Sequence, residues 1–235
     1  MIRIENLYKR FGRNEVLKGI DLQIESPGIY AVLGPNGSGK TTLIKSILGM
    51  VIPDKGEIFF KGNDISKSPD YRNDIDYLPQ IANFPANLTV KEIFSMIKDL
   101  RGGQASDQEL MAAFGLSPFM DKRLNTLSGG TKQKVNIVLS LMFNSKLIIL
   151  DEPTTGLDPV ALIRLKELLL QEKAAGKTIL ITTHIMQFVE EMADEIVFLL
   201  EGKIHFRGSV NGLKERTHTS NFEKAIAQTL THHYA

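Results

Sequence analysis

The sequence predicts an α/β protein built on a mostly parallel sheet, and three observations carry that prediction. Short apolar runs recur along the chain and stop at turn-forming or acidic residues. Stretches with apolar residues at helical spacing separate them, and strands alternating with helices close through right-handed βαβ crossovers. With 43% of its 235 residues hydrophobic and 23% charged, the chain can bury a core and is no disordered tail or low-complexity linker.

Residues 1–26 alternate in the strand manner through Ile2, Ile4, Ile20, Leu22 and Ile24, broken at Phe11-Gly12-Arg13-Asn14. Ile29-Tyr30-Ala31-Val32-Leu33 is an apolar run that stops at Gly34-Pro35-Asn36-Gly37. A helix fits from Lys40, with Leu43, Ile44, Ile47 and Leu48 at core spacing and Gly49 as its stop. Ile58-Phe59-Phe60 returns to strand. Thr89-Val90-Lys91-Glu92 is a capping box ahead of Ile93, Phe94, Ile97 and Leu100, and Ser106-Asp107-Gln108-Glu109 reads as a second. Roughly 85–143 is therefore a mainly helical insert. Three buried-strand runs follow, Leu147–Leu150, Thr178–Thr182 and Glu195–Leu199, with a helix over Pro159–Lys173 N-capped by Asp158. Lys203–Arg207 reads as a further strand. The stretch from about Gly212 to Ala235 is polar and reads as a short helix plus a loose tail.

Charge and composition narrow the function. Lys+Arg 28 against Asp+Glu 27 gives no global basic field, so an anion site must be built locally and no nucleic-acid partner is expected. The absence of cysteine excludes disulfides, zinc-thiolate sites and thiol catalysis. No signal peptide is written at the N-terminus, and no apolar run approaches the roughly 20 residues that span a bilayer. A cytoplasmic protein is expected, peripheral to the membrane if it works there.

Gly34-Pro35-Asn36-Gly37-Ser38-Gly39-Lys40-Thr41-Thr42 matches G-x-x-x-x-G-K-[ST] after a strand and before a helix. Glycines let backbone N–H groups turn inward around phosphate oxygens, and the helix N-terminus adds its dipole. Lys40 suits the β/γ-phosphates and the Thr41 hydroxyl suits Mg²⁺. Leu147–Leu150 delivers Asp151 and Glu152 at a strand's carboxyl end, where ligands of parallel sheets sit. Consecutive strand residues face opposite ways, so Asp151 can serve the metal shell while Glu152 lies near an attacking water. By itself a strand ending in Asp-Glu is commonplace. Leu127-Ser128-Gly129-Gly130-Thr131-Lys132-Gln133 taken alone reads as an ordinary Ser-capped helix.

Together these strings resemble the nucleotide-binding domain of the ABC (ATP-binding cassette) ATPases over about residues 1–212, leaving 213–235 as a short C-terminal extension. Residues 34–41 resemble Walker A, Leu147–Asp151 Walker B, and Leu127–Gln133 the signature. Gln80 matches the Q-loop glutamine, Thr155-Gly156-Leu157-Asp158 the D-loop, and His184 the switch histidine. The resemblance implies a P-loop NTPase core with an N-terminal antiparallel β-subdomain and an inserted α-helical subdomain. It implies ATP and Mg²⁺ as ligands, with Thr41, Gln80 and Asp151 at the metal. Glu152 would be the general base and His184 the γ-phosphate contact. A second copy of the chain would close the site through Ser128, Gly129 and Gly130, with Asp158 at the seam. Phe11 falls where the family stacks an aromatic on adenine; Tyr8 is the other candidate, and a packed turn aromatic is the plain alternative. Thr131 stands where Gln is usual and Lys134 where Arg is common.

A transporter subunit serving a separate transmembrane permease is the function implied. Ile81, Phe84 and Pro85 would supply the groove for it, subject to their exposure. The likeness is greatest to ABC-2-type exporter ATPases, with a fainter one to the copper-processing ATPases of nitrous oxide reductase maturation. A soluble ABC ATPase acting on ribosomes or DNA is the alternative, as is a nucleotide sensor without turnover. His205 reads as structural. His218, His232 and His233 lie in the tail, where a His-His pair lacks a third placed ligand.

Overall fold

The computed structural model describes residues 1–81, 83–102 and 105–234, the last four by backbone alone. Strands β1 (Ile2–Phe11), β2 (Asn14–Ile24) and β3 (Gly28–Leu33) precede helix α1 (Lys40–Ile47), then β4 (Lys55–Phe60), β5 (Asn63–Asp64) and β6 (Ile75–Leu78). Helices α2 (Val90–Arg101), α3 (Asp107–Ala113) and α4 (Gly129–Leu141) follow, with β7 (Leu147–Asp151), α5 (Pro159–Ala174) and β8 (Thr178–Thr182). The chain closes through α6 (Met186–Met192), β9 (Glu195–Leu200), β10 (Lys203–Gly208), α7 (Val210–Arg216) and α8 (Phe222–Tyr234). These elements form two compact units, Met1–Arg72 with Thr178–Ala235, and Asn73–Lys177.

In the first unit an antiparallel sheet runs in the order β2-β1-β4-β5. The β4–β5 hairpin turns on Lys61 and Gly62, both at positive φ, which matches the right-handed strand twist. A second group of strands is mostly parallel: β3 pairs with β8 on one side and β9 on the other, and β10 returns antiparallel on β9. All six residues of β3 are buried, as a parallel strand covered on both faces requires. Helix α1 ends as expected at Gly49 (φ 66°), where Gly49 N–H reaches Ser46 O and Met50 N–H reaches Lys45 O, a Schellman closure.

The loose tail is a correction. Residues after Gly212 fold into the end of α7 and all of α8, and Leu213, Phe222 and Ala225 pack with Ala31, Leu33, Ile196 and Phe198 in one apolar cluster. The signal was present in the spacing of Phe222, Ala225 and Ile226 along an otherwise polar helix. Phe222 is 2% exposed, so Phe222→Ala is expected to cost about 3–5 kcal/mol of stability, measured by denaturant unfolding. A loss below about 1 kcal/mol would make α8 a loose appendage after all. His232 and His233 lie outside the described side chains.

In the second unit β6 and β7 pair in parallel, Leu78 opposite Leu150. The Thr89 capping box is as expected: Glu92 N–H donates to Thr89 Oγ1 (3.2 Å) and Thr89 N–H to Glu92 Oε2 (2.7 Å). The second box is not formed. Ser106 has φ −94° and ψ 40°, outside the extended region an N-cap needs, and its side chain caps nothing. Asp107 turns instead to the Lys98 ammonium at 2.7 Å. At the base of β6, the buried Asp76 carboxylate accepts from Arg101 Nη1 (2.6 Å) and Ser145 Oγ (2.8 Å). Burial pushes its carboxyl up, only partly offset by Arg101.

Candidate active site

Each unit delivers part of the predicted machinery from the carboxyl ends of its parallel strands. In the first unit, β3 runs out at Leu33 into the Gly34–Gly39 loop, and β8 runs out at Thr182 before His184. Val32 pairs with Thr182, so the loop and His184 leave the same edge of the sheet. His184 is exposed just beyond the strand end.

The loop is built around its glycines. A Cβ on Gly34 would stand 2.1 Å from Leu199 O, and one on Gly39 (φ 106°) 2.8 Å from Leu17 Cδ2 and 3.0 Å from Val16 O. Only glycine fits either place. Pro35, Asn36 and Gly37 form the outer turn, closed by Ser38 N–H to Pro35 O at 3.2 Å. Lys40 Nζ donates to Gly34 O (2.7 Å) and Pro35 O (3.0 Å), which holds the ammonium over the loop. Ser38 is 2% exposed and its hydroxyl has no hydrogen-bond partner. A buried hydroxyl left orphaned is costly, and an anionic oxygen seated in the loop would satisfy it. Gly39 also gives α1 no side-chain cap, so no capping side chain competes with an anion at the start of the helix.

The far end of α1 is clamped in a way the sequence did not reveal. Tyr71 OH donates to Ile47 O, and Arg72 donates through Nε to Leu48 O and through Nη2 to Gly49 O. A guanidinium at a helix C-terminus complements the dipole that makes the other end electropositive. Phe11 ends β1 half exposed at 50%, with Lys9 Nζ 5.3 Å from its ring centroid. An open aromatic face at that place is compatible with stacking.

In the second unit, Asp151 ends β7 buried, and Gln80 lies two residues beyond β6, exposed. Because β6 and β7 pair in parallel up to Leu78 and Leu150, Gln80 and the Asp151-Glu152 pair leave the same end. Glu152 has φ 52°, a left-handed conformation that costs a non-glycine residue free energy. Helix α4 braces both loops: Asn136 Nδ2 donates to Pro79 O and Gln133 Nε2 to Pro153 O, each at 3.2 Å. Neither brace was legible in the sequence, since an Asn and a Gln inside a helix carry no spacing signal.

Ser128 is the N-cap of α4, as expected, accepting Thr131 N–H at 3.2 Å, with Gly129 and Gly130 opening the helix. Thr131 adds a contact of its own, its Oγ1 lying 2.9 Å from Ser128 Oγ. Asp158 caps α5 through Ala161 N–H (2.8 Å) and pairs with Lys134 Nζ (2.6 Å). Lys134, then the cap, holds the Asp158 carboxyl below the usual carboxylate range. A Cβ on Gly130 would meet Gly156 O at 2.7 Å, so glycine lets the α4 start and the 155–158 turn pack backbone to backbone. Among the described residues no three His, Asp or Glu gather as a self-contained metal site.

Comparison with known proteins places this architecture. The ABC transporter family profile matches residues 17–155, and a shorter match to an AAA domain, described as a putative AbiEii toxin of a type IV toxin–antitoxin system, covers 123–190. The lantibiotic transport ATP-binding protein SrtF of Streptococcus pyogenes is 34% identical, over 90% of this chain and 92% of that one. The Nod factor export ATP-binding protein I of Burkholderia lata is also 34% identical, over 91% of this chain and 72% of that one. Among solved structures, an ATP-binding subunit of an ABC transporter superposes with a TM-score of 0.91 at 27% identity, covering 98% of this chain and 99% of that one. The dimeric post-hydrolysis state of the ATP-binding cassette MJ0796 with ADP and Pi gives 0.79 at 25% identity, over 89% and 98%. The mixed α/β fold with its antiparallel subdomain is that of the solved cassettes, as the sequence predicted. The chain belongs to the ATP-binding proteins of the ABC transporter family and is an ATPase subunit of that family.

Proposed function

We propose that two copies of this chain close around two Mg-ATP and use their hydrolysis to drive a separate membrane permease, in the direction of export. The observation that carries the nucleotide reading is the Gly34–Gly39 loop, where two glycines admit no side chain and Ser38 presents a buried, unpartnered hydroxyl. The ammonium of Lys40 would take the charge of the β/γ-phosphates, and Phe11 the adenine face. Thr41, Asp151 and Gln80 would hold the cation, a donor set suited to Mg²⁺, which keeps one or two carboxylates and otherwise takes waters and phosphates. When bound it neutralises charge that develops on the phosphates. Glu152 then accepts a proton from the attacking water or orients it, and His184 steadies the γ-phosphate. From the partner copy, Ser128 and the amides of Gly129 and Gly130 complete the γ-phosphate cradle, with Asp158 at the seam.

Lys40→Ala is expected to weaken ATP binding by at least about tenfold, read by equilibrium binding of a fluorescent ATP analogue. Unchanged affinity would refute the phosphate-loop assignment.

Homology to a dimeric cassette supports the pairing, and names containing transport and export support the permease and the direction. Ile81 (72% exposed), Pro85 and the half-buried Phe84 follow Gln80 and would offer apolar surface to such a permease. No described helix is long and apolar enough to cross a membrane; the transport and export names of the relatives support a peripheral subunit on the cytoplasmic face. None of the relatives named above supports the copper-processing likeness.

A further inference from the structure

Thr131 departs from the family's usual Gln, and its hydroxyl lies within hydrogen-bond distance of Ser128 Oγ, where either oxygen can donate. Ser128 Oγ has one proton to donate and two lone pairs. One lone pair takes Thr131 N–H at 3.2 Å, and Thr131 Oγ1 lies 2.9 Å away on the same oxygen. When the Thr131 hydroxyl donates, both lone pairs of Ser128 are filled from within its own helix turn. The Ser128 proton is then directed outward, with no other role. Ser128 is exposed at the start of α4, so that proton faces whatever docks there. A chain of hydroxyls also polarises its last member, which makes Ser128 a better donor to an anionic oxygen.

We propose that Thr131 is a positioning residue that sets the Ser128 hydroxyl as a hydrogen-bond donor to the γ-phosphate held by the partner copy. The proposal rests on the dimeric reading above and deepens it. Thr131 does not itself touch the nucleotide: it replaces reach with pre-orientation. Glutamine, with a longer arm and no hydroxyl, cannot give this one-oxygen relay from the same backbone position.

The test uses the full chain. Thr131→Val keeps the β-branched shape and the backbone cap but removes the hydroxyl, and Thr131→Ser restores it. In Glu152→Gln protein, ATP-driven dimerisation followed by analytical ultracentrifugation is expected to weaken about 25-fold in Thr131→Val, because one hydrogen bond, worth about fivefold, is lost at each of the two sites. In the protein with Glu152 intact, kcat is expected to fall about fivefold. ATP affinity at low protein concentration and the thermal midpoint should both stay at wild-type values. Thr131→Ser should recover the kcat and the dimerisation, which a merely structural role at the helix start would not predict. Ser128→Ala separates the levels. If Ser128→Ala impairs dimerisation while Thr131→Val matches wild type, the positioning role is overturned and the dimeric reading stands. If Ser128→Ala also dimerises normally, the positioning role and the Ser128 contact to the γ-phosphate are both overturned, and only a Glu152→Gln protein that forms no ATP-dependent dimer would overturn the dimeric reading.

Discussion

Glu152→Gln should bind ATP with wild-type affinity, lose turnover by about 10²–10⁴-fold, and accumulate as an ATP-dependent dimer. The substitution keeps the side chain's size and its ability to hydrogen-bond, and removes only the basicity. It should not disturb the backbone, which already holds position 152 at φ 52°. That conformation is informative in its own right. A residue kept left-handed at a cost, where glycine would be comfortable, points to a side chain the site needs. Its surroundings keep it there: Thr155 N–H returns to Glu152 O, and Gln133 holds Pro153 O. Single-turnover hydrolysis with size-exclusion light scattering, with and without ATP, reads both effects. Turnover within a few-fold of wild type would remove Glu152 from the chemistry and leave the Lys40 loop untouched.

What could be read from the sequence, and what could not, divides along a physical line. Features whose signal lies in neighbouring residues were legible. The glycines at 34, 37 and 39, the Thr89 box, Asp158 before Pro159 and the run into Asp151 each combine a turn or cap with an adjacent periodic segment. The Ser106 box fails because Ser106 sits at φ −94° and ψ 40°, outside the extended conformation an N-cap needs, while its neighbour Asp107 pairs with Lys98. Strand β6 was missed because four residues, ending at Leu78 before Pro79, are too few to show a period. The braces from Asn136, Gln133 and Arg72 were beyond reach for a different reason. Each joins a side chain to a backbone carbonyl 20 or more positions away, and no local rule encodes such a pairing. The site's chemistry is therefore written locally, and the parts that hold it in place are written in the fold.

The Asp76–Arg101 pair is the brace with the largest expected effect on stability. The Asp76 carboxylate is fully buried, and Arg101 also donates through Nη2 to Asn73 O, Ile75 O and Ser145 Oγ while stacking 4.3 Å over the Phe143 ring. Arg101→Met keeps apolar bulk on that ring and strands a buried carboxylate. The expected cost is about 3 kcal/mol, the low end for a broken buried pair because the Arg101 side chain is a quarter exposed. Adding Asp76→Asn should recover much of it, since the amide brings no charge and still bonds Ser145. The pH dependence has a definite sign. Burial already holds the Asp76 carboxyl above its ordinary value, so the stability it contributes is present below that value and is lost as pH rises through the folded pKa. Removing Arg101 takes away the main opposing influence and raises the carboxyl further. Arg101→Met should therefore lose least, relative to wild type, at the acid end of a pH series and progressively more as pH rises, by denaturant unfolding. A deficit that does not change with pH would mean the lost contacts, not the stranded charge, carry the cost. Because β6 leads directly to Gln80, the same variant should hydrolyse ATP more slowly while the Lys40 loop, in the other unit, binds it as before.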